Sequence, residues 1–326
     1  MILIISEAVD PHADHVAQKL LEHGADVVRV NPAQFPTLTS ASLQYGTAGQ
    51  FQGTLRVGHE TIDLQGLDAT WCRRIPRCIA HENITDDVSR AYLEEECMRY
   101  LEGVWGLLEC PWVPAPPSVI ERAGVKASQL KLAGALGFEL PPTLFTNDPA
   151  EFLEFYRQHN GHIVSKAAGK AFVRSLGETF GRYTQVVSKR DVGYAQAVRF
   201  CPMIFQAYVP KLVELRITVV GELVFAAEIH SQVSNHTRDD WRHYDWSQPL
   251  YFPHTLPSAL EQQCVQLVKQ LGLCYGAIDM VLTPDRRYVF LEINPAGQYL
   301  WIEQAAGLPI SDAICDLLLS GSPVNK

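Results

Sequence analysis

One stretch constrains this chain more than any other: residues 275–298, YGAIDMVLTPDRRYVFLEINPAGQ. Two short apolar runs, 277–282 and 288–293, are rich in Val, Ile, Leu and aromatics, and Thr283-Pro284-Asp285-Arg286-Arg287 separates them. Composition and loop length predict a β-hairpin. Glu292 and Asn294 are two apart on the second strand, so their side chains share a face. Asp279, on the partner strand, can reach that face. Three hard oxygen donors meeting on a hairpin suit a magnesium ion that bridges nucleotide phosphates. The competing reading makes Asp279 a polar residue on the turn side and Glu292 a solvent-facing one. A carboxylate within the apolar run YVFLEIN is costly unless paired or metal-bound, which favours the metal. Pro295 and Gly297 then end the strand.

The 326 residues leave room for two or three domains, and 47% hydrophobic content supplies ample core. The net charge is −9, and no basic run or basic–aromatic interleaving suggests a nucleic-acid surface. The opening MILIIS is too short for the apolar core of a signal peptide. No apolar run reaches the roughly 18 residues of a membrane span. A cytoplasmic protein without a membrane partner is expected. Cysteines stand at 72, 78, 97, 110, 201, 264, 274 and 315 and form no C-x-x-C pair. Several lie in apolar contexts, so buried reduced thiols are expected.

In chain order, 2–5 reads as a buried strand. Asp10 caps a helix that has Pro11 at its first position, runs to about Glu22 and stops at Gly24; 26–30 is the next strand. This βαβ start implies a parallel, doubly wound sheet. Residues 43–64 alternate around Gly49, Gly53 and Gly58, which predicts a strand meander. A long helix over 86–108 would use Val88, Tyr92, Leu93, Leu101, Val104 and Leu108 as its apolar positions. Residues 68–74 form a strand ending in Arg73-Arg74, which either merely sit at the strand end or meet a carboxylate or phosphate. No G-x-G-x-x-G follows the first strand, which excludes the usual dinucleotide fingerprint.

The proline-rich W-V-P-A-P-P-S at 112–118 reads as a domain boundary. A helix opens near Lys126 and stops at Gly137, a strand follows Pro142, 148–158 is helical and 162–166 is a strand. Strands at 183–189 and 203–209 flank a helical turn at 191–198. Together they suit a small antiparallel lid sheet backed by two helices. Lys126 at a helix start and Lys166 at a strand end are, singly, ordinary solvated charges. As a pair beside the turn at Gly169 they can cradle α- and β-phosphates together with loop amides. Phe205-Gln206-Ala207-Tyr208-Val209-Pro210-Lys211 offers backbone groups to an adenine edge. Arg216 sits among apolar neighbours in LRITVV, where a guanidinium wants an anion; an internal pair with Glu214 or Glu228 is the alternative. In the loop Asp239-Asp240-Trp241-Arg242, Arg242 can hold a carboxylate while Asp240 orients it. Helices are expected at 256–271 and 308–319.

The ordered features are Trp71…Arg73-Arg74, Lys126-Ala-Ser-Gln-Leu, Pro141-Pro-Thr, Lys166, Phe205-Gln-Ala-Tyr-Val-Pro-Lys, Glu214-Leu-Arg, Asp240-Trp-Arg and Glu292-Ile-Asn-Pro-Ala-Gly-Gln. In that order they resemble an ATP-grasp ligase across the whole chain, most of all the ribosomal-peptide maturases of the microviridin and graspetide class. The resemblance implies an α/β ATP-grasp fold. It would have a pre-ATP-grasp α/β domain at 1–115, a central lid domain at 116–205 and a C-terminal mixed-sheet domain with the metal and phosphate site at 206–326. It also implies ATP and Mg2+. Lys126, Lys166 and Gly169 would lie at the phosphates, Gln206, Tyr208, Val209 and Glu214 at the nucleotide, and Asp279, Glu292 and Asn294 on the metal. Arg216, Asp240 and Arg242 would be the catalytic residues, the last two binding the acidic residue of a core peptide.

The implied activity is phosphorylation of a side-chain carboxylate in a ribosomally made precursor, followed by attack of a Thr or Ser hydroxyl or a Lys amine. A leader-bearing precursor peptide is the implied partner, and a homodimer the implied assembly. One departure is Ala207, where relatives often carry Glu beside the adenine. Two other readings remain. One is a ligase joining a free amino acid or small amine to a carboxylate; the other is a nucleotide-binding protein without turnover. Asp240-Trp-Arg242 and Trp71…Arg74 speak against the first, and the intact Asp279, Glu292 and Asn294 set against the second.

Overall fold

The structure is a computed structural model that describes residues 1–169, 184–230 and 251–321, together with the backbone of 172–175 and 178–181. Ile2–Ile5 (β1) is four buried aliphatics without polar alternation, as a strand covered on both faces requires. Asp10 accepts from the His12 and Ala13 amides and Pro11 takes the first helical position, which starts Pro11–Glu22 (α1). Gly24, at φ 77°, turns the chain towards Val27–Val30 (β2). Thr39–Tyr45 (β3), Phe51–Val57 (β4) and Glu60–Asp63 (β5) form the expected antiparallel meander. Ala69–Cys72 (β6) returns parallel to β1.

Asp87–Gly106 (α2) lies across the sheet from α1. Leu3 and Ile5 pack with Leu101, Val104 and Trp105 of α2, while Ile2 and Ile4 pack with Ala13, Val16 and Leu20 of α1. The long helix therefore exists, but its apolar stripe is a correction. Val88 and Tyr92 are 78% and 64% exposed, because only the last turns of α2 reach the core. Trp112–Val113 (β7) completes a parallel sheet of order β2-β1-β6-β7. The proline-rich stretch is regular: it supplies β7 and then Pro117–Ala123 (α3), a short helix the sequence reading did not contain.

Lys126–Ala135 (α4) ends before Gly137, which has φ 84°. Next come Thr143–Thr146 (β8), Pro149–Gln158 (α5), Ile163–Lys166 (β9), the hairpin of Phe172–Ser175 (β10) and Glu178–Gly181 (β11), and Gln185–Val186 (β12). Lys189–Gly193 (α6) and Met203–Ala207 (β13) follow. Four strands form an antiparallel sheet of order β12-β9-β13-β8. Phe152 of α5 stacks on Phe205 of β13 at 4.2 Å between ring centroids. Of the strand expected over 183–189, residue 183 lies outside the described residues and, of the rest, only 185–186 are extended, as β12. The Ser188 hydroxyl accepts from the Asp191 amide and the Asp191 carboxylate accepts from the Ser188 amide, so a capping box starts α6 there.

Val213–Val220 (β14), Leu223–Ile229 (β15), Tyr251–Pro253 (β16), Tyr275–Leu282 (β17) and Tyr288–Asn294 (β18) make an antiparallel sheet of order β16-β15-β14-β17-β18. All eight residues of β14 are buried. Ser258–Gln270 (α7) and α4 cover one face, where Leu215, Ile217, Ile278 and Met280 meet Ala133, Leu260, Cys264 and Leu267. Leu300–Ala306 (α8), which was not anticipated, and Ile310–Ser320 (α9) pack against β1 and α1. Val220 and Tyr275 belong to that same cluster, so one core joins the amino-terminal sheet to the carboxy-terminal one.

All eight cysteines are free, and five are buried. Burial raises the Cys72, Cys264, Cys274 and Cys315 thiols to about 12 and Cys78 to about 11, and also raises the half-buried Cys97 and Cys110. Cys201 is the correction to that expectation: it is exposed in the turn before β13. Among the described residues no helix is long and apolar enough to cross a membrane.

Candidate active site

Residues directly opposite in antiparallel strands share a face. Pairing sets Arg216 opposite Asp279, Asp279 opposite Glu292 and Ala277 opposite Asn294. The hairpin therefore brings Asp279, Glu292 and Asn294 out on the face that also carries Glu214 and Arg216. Between Asp279 and Met280 the register slips, so Leu291 has no partner on β17 and a bulge lies beside Glu292. The side chains of Asp279 and Glu292 are 19% and 24% exposed, neither sealed nor freely solvated.

Each carboxylate meets a cation. Arg216 Nη1 donates to both oxygens of Asp279, at 2.9 and 3.1 Å, and Lys126 Nζ lies 2.8 Å from Glu292 Oε2. Arg216 is itself buried; desolvation lowers its pKa, but the facing Asp279 charge outweighs that and keeps it firmly protonated. The partners proposed for it as an internal pair are engaged elsewhere. Glu214 meets Lys211 at 3.0 Å, and Glu228, on the other face of the sheet, meets His230 at 2.8 Å and His254 at 2.7 Å. Asn294 is exposed, and its Oδ1 accepts from the Ala296 amide at 3.2 Å.

Lys126 is the first residue of α4, and its Nζ also donates to the Ala167 carbonyl at 3.2 Å. Lys166 ends β9 and donates to Gln206 Oε1 at 2.7 Å; Gln206 Nε2 donates on to Thr143 Oγ1 at 2.9 Å. The Ala207 and Tyr208 amides donate to the Pro142 and His162 carbonyls. A solvent-open cleft of about 610 Å³ lies between the β12-β9-β13-β8 sheet and the β16-β15-β14-β17-β18 sheet. Lys166, Gln206, Tyr208 and Val209 line one side of it, and Glu214, Asp279 and Glu292 the other. Lys126 joins them through Glu292. Gly169 lies in the bend after β9 and is not among the described residues that line the cleft. Asp240 and Arg242 lie outside the described residues.

The donor set of Asp279, Glu292 and Asn294 is all oxygen, with two carboxylates on adjoining strands. Among the described residues no three His, Cys, Asp or Glu side chains cluster to hold a metal unaided. Such a set fits Mg2+ that takes its other ligands from phosphate and water, and it does not fit an all-protein cage.

Three contributors were missed from sequence. Lys211, with only 9% of its side chain exposed, partners Glu214 on the cleft wall. Leu291 lines the cleft together with its neighbour Glu292, two successive residues on one face because of the bulge. Gln129 is buried; its Nε2 donates to the Ala123 and Ile293 carbonyls at 2.7 and 2.8 Å, and its Oε1 accepts from the Ile293 amide at 3.2 Å. That clamps α4 to β18 next to Glu292. Its position three residues after Lys126, on the same side of a helix, was the available signal. Arg73 and Arg74 separate: Arg74 is exposed and pairs with Glu7 at 2.8 Å, whereas Arg73 is buried beside Asp10.

The family model of the MvdD pre-ATP-grasp domain matches residues 1–119. The macrocyclase MdnC of Microcystis aeruginosa MRC, solved with its precursor peptide MdnA, is 31% identical over 98% of this chain and 99% of that one, with a TM-score of 0.87. An ATP-grasp ligase of Chryseobacterium gregarium, described as RiPP-associated and solved with ADP and a leader and core peptide, is 31% identical over 99% and 97%, with a TM-score of 0.91. The macrocyclase MdnB of the same Microcystis is 33% identical over 98% of both chains, with a TM-score of 0.81. No curated protein sequence matches the chain.

Proposed function

This chain belongs to the ATP-grasp ligases that act as macrocyclases and maturases of ribosomally made peptides, and from that membership we propose that it closes ω-ester or ω-amide rings in a precursor peptide. In the first half-reaction a Glu or Asp side-chain oxygen of the core takes the γ-phosphoryl group of ATP and ADP leaves. In the second, a Thr or Ser hydroxyl or a Lys amine attacks the acyl carbon, loses its proton and expels phosphate. A free carboxylate is a poor electrophile, and the acyl phosphate supplies the leaving group it lacks.

The observation that carries this reading is the single cleft that gathers Lys166, Gln206 and Tyr208 with Asp279 and Glu292. Lys126 and Lys166 are assigned to the phosphates and Gly169 to the turn beside them. Gln206, Tyr208 and Val209 are assigned to the adenine and Glu214 to the nucleotide. Asp279, Glu292 and Asn294 would hold Mg2+, which neutralises charge on the phosphoryl oxygens when bound. Lys126 must release Glu292 for that, and nucleotide phosphates are the anions that would draw it away. Arg216 adds a buried positive charge behind Asp279. Asp240 and Arg242 are assigned to the acidic core residue. The likeness to a ligase that holds ADP, leader and core together supports a peptide substrate. The domain limits 1–115, 116–205 and 206–326, a homodimer and a cytoplasmic setting complete the reading.

The test is mass spectrometry of a candidate precursor peptide incubated with this protein, ATP and Mg2+. Loss of one water per ring, dependent on ATP, is expected. An unchanged peptide, with ADP released only when a free amino acid is added, would instead make this a small-substrate ligase. ATP binding without ADP release towards any acceptor would make it a nucleotide binder.

A further inference from the structure

Immediately after Glu292 and Asn294 the chain makes a turn in which three successive carbonyls each accept from a covered side chain, and the three donors come from different elements. Arg73 Nη1, just past β6 of the amino-terminal sheet, donates to the Ala296 carbonyl at 2.8 Å. Tyr275 Oη, at the start of β17, donates to the Gly297 carbonyl at 2.7 Å. Arg216 Nη2, on β14, donates to the Gln298 carbonyl at 2.8 Å.

The amino-terminal grip is itself braced. Arg73 Nε lies 3.4 Å from Asp10 Oδ2, and both residues are almost wholly buried. Asp10 also caps α1, and His12 Nε2 accepts from the Tyr299 and Leu300 amides at 3.2 Å each. Gly297 has no room for a side chain: a Cβ there would run into Ala277 and stand 2.7 Å from Arg216 Nη2. The turn is thus held at van der Waals contact against the guanidinium.

A guanidinium is planar, so placing one nitrogen fixes the direction of the others. Arg216 has one nitrogen on Gln298 and another on Asp279. The place of the turn therefore fixes where Arg216 holds the Asp279 carboxylate. We propose that Arg73 and Tyr275 are positioning residues for the metal-binding carboxylate, acting through the 296–298 turn and Arg216. This rests on the assignment of Asp279 to the metal made above. It gives Arg73, the buried member of the Arg73-Arg74 pair, a role at a site that it does not touch.

The experiment is direct titration of Mn2+ into the full-length protein with saturating ADP, followed by the electron paramagnetic resonance of the free ion. Thermal unfolding and metal-free ADP affinity are measured alongside. Arg73→Met is expected to weaken Mn2+ binding about tenfold, the lower end for loss of an outer-shell partner. Metal-free ADP affinity should stay unchanged, and Arg74→Met should match the wild type. Should Arg73→Met not fold, Tyr275→Phe removes a single donor to the same turn and should weaken Mn2+ severalfold. Wild-type Mn2+ affinity in the folded variants, with only a lower unfolding temperature, overturns the proposal. Asp279→Asn separates the two levels. If it weakens Mn2+ while the Arg73 and Tyr275 variants do not, only the positioning role falls. If it too binds Mn2+ normally, the metal assignment falls and the positioning role with it.

Discussion

Arg216 and Asp279 stand directly opposite each other on β14 and β17, and one guanidinium nitrogen bonds both carboxylate oxygens. Removing one member of a buried ion pair leaves the other uncompensated, at a cost of about 3–5 kcal/mol. Arg216→Met should therefore lose about that much stability in urea unfolding. Arg216→Met combined with Asp279→Leu should regain most of it and still show no peptide modification. Recovered activity in the double variant would remove both residues from the chemistry.

The Lys126–Glu292 pair is partly exposed, so its contribution to folding is small, about 0.2–1 kcal/mol. Glu292→Gln should accordingly unfold at nearly the wild-type urea concentration while ring formation with ATP and Mg2+ disappears from the mass spectrum. Near-wild-type turnover would make the metal assignment wrong.

Gln129, on α4, satisfies the carbonyl of Ala123 at the end of α3 and both the carbonyl and the amide of Ile293 on β18. Gln129→Leu is close in size but leaves those groups unpaired, a loss of about 1–3 kcal/mol. Since Ile293 neighbours Glu292, the same variant should raise the metal concentration needed for half-maximal turnover.

Burial pushes the Asp10 carboxyl up, but the His12 hydrogen bonds and the Arg73 charge outweigh it and hold it at about 2. A group depressed in the folded state stabilises above its unfolded value, about 3.9, and that stabilisation is lost as pH falls towards 2. The contribution is about 2 kcal/mol. Asp10→Asn should flatten the stability profile between pH 4 and 2 relative to the wild type, as followed by circular dichroism in urea.

Arg242→Ala should slow modification of the peptide far more than it weakens nucleotide binding, measured by ring formation and by ADP calorimetry on the same preparation. Equal losses in both would place Arg242 at the nucleotide instead of the core carboxylate.

The hairpin, the βαβ opening and the cap at Asp10 were legible because local chemistry decides them: alternation, turn residues and a side-chain acceptor at a helix start. That Asp279 can reach the face of Glu292 was legible from the hairpin, but setting the two directly opposite takes the register shift beside Leu291. The choice of partners was not legible. Arg216 was weighed against Glu214 and Glu228, and only the register of β14 against β17 gives it Asp279 instead. The overhang of α2 was hidden for a similar reason, since an apolar stripe does not say how far the neighbouring sheet extends. Lys211, the bulge at Leu291 and the burial of Arg73 all depend on contacts made across elements. The Asp240-Trp241-Arg242 element stayed at the level of its residues.

The uneven covering of the thiols makes the unaltered chain a reporter of its own binding. Seven sulfurs are at least half buried and held protonated by their surroundings, so a maleimide dye at neutral pH should single out Cys201. That sulfur sits two residues before β13, the strand that carries Gln206 to the cleft wall. A fluorophore there would watch nucleotide and peptide arrive in the native sequence, without a cysteine added or removed.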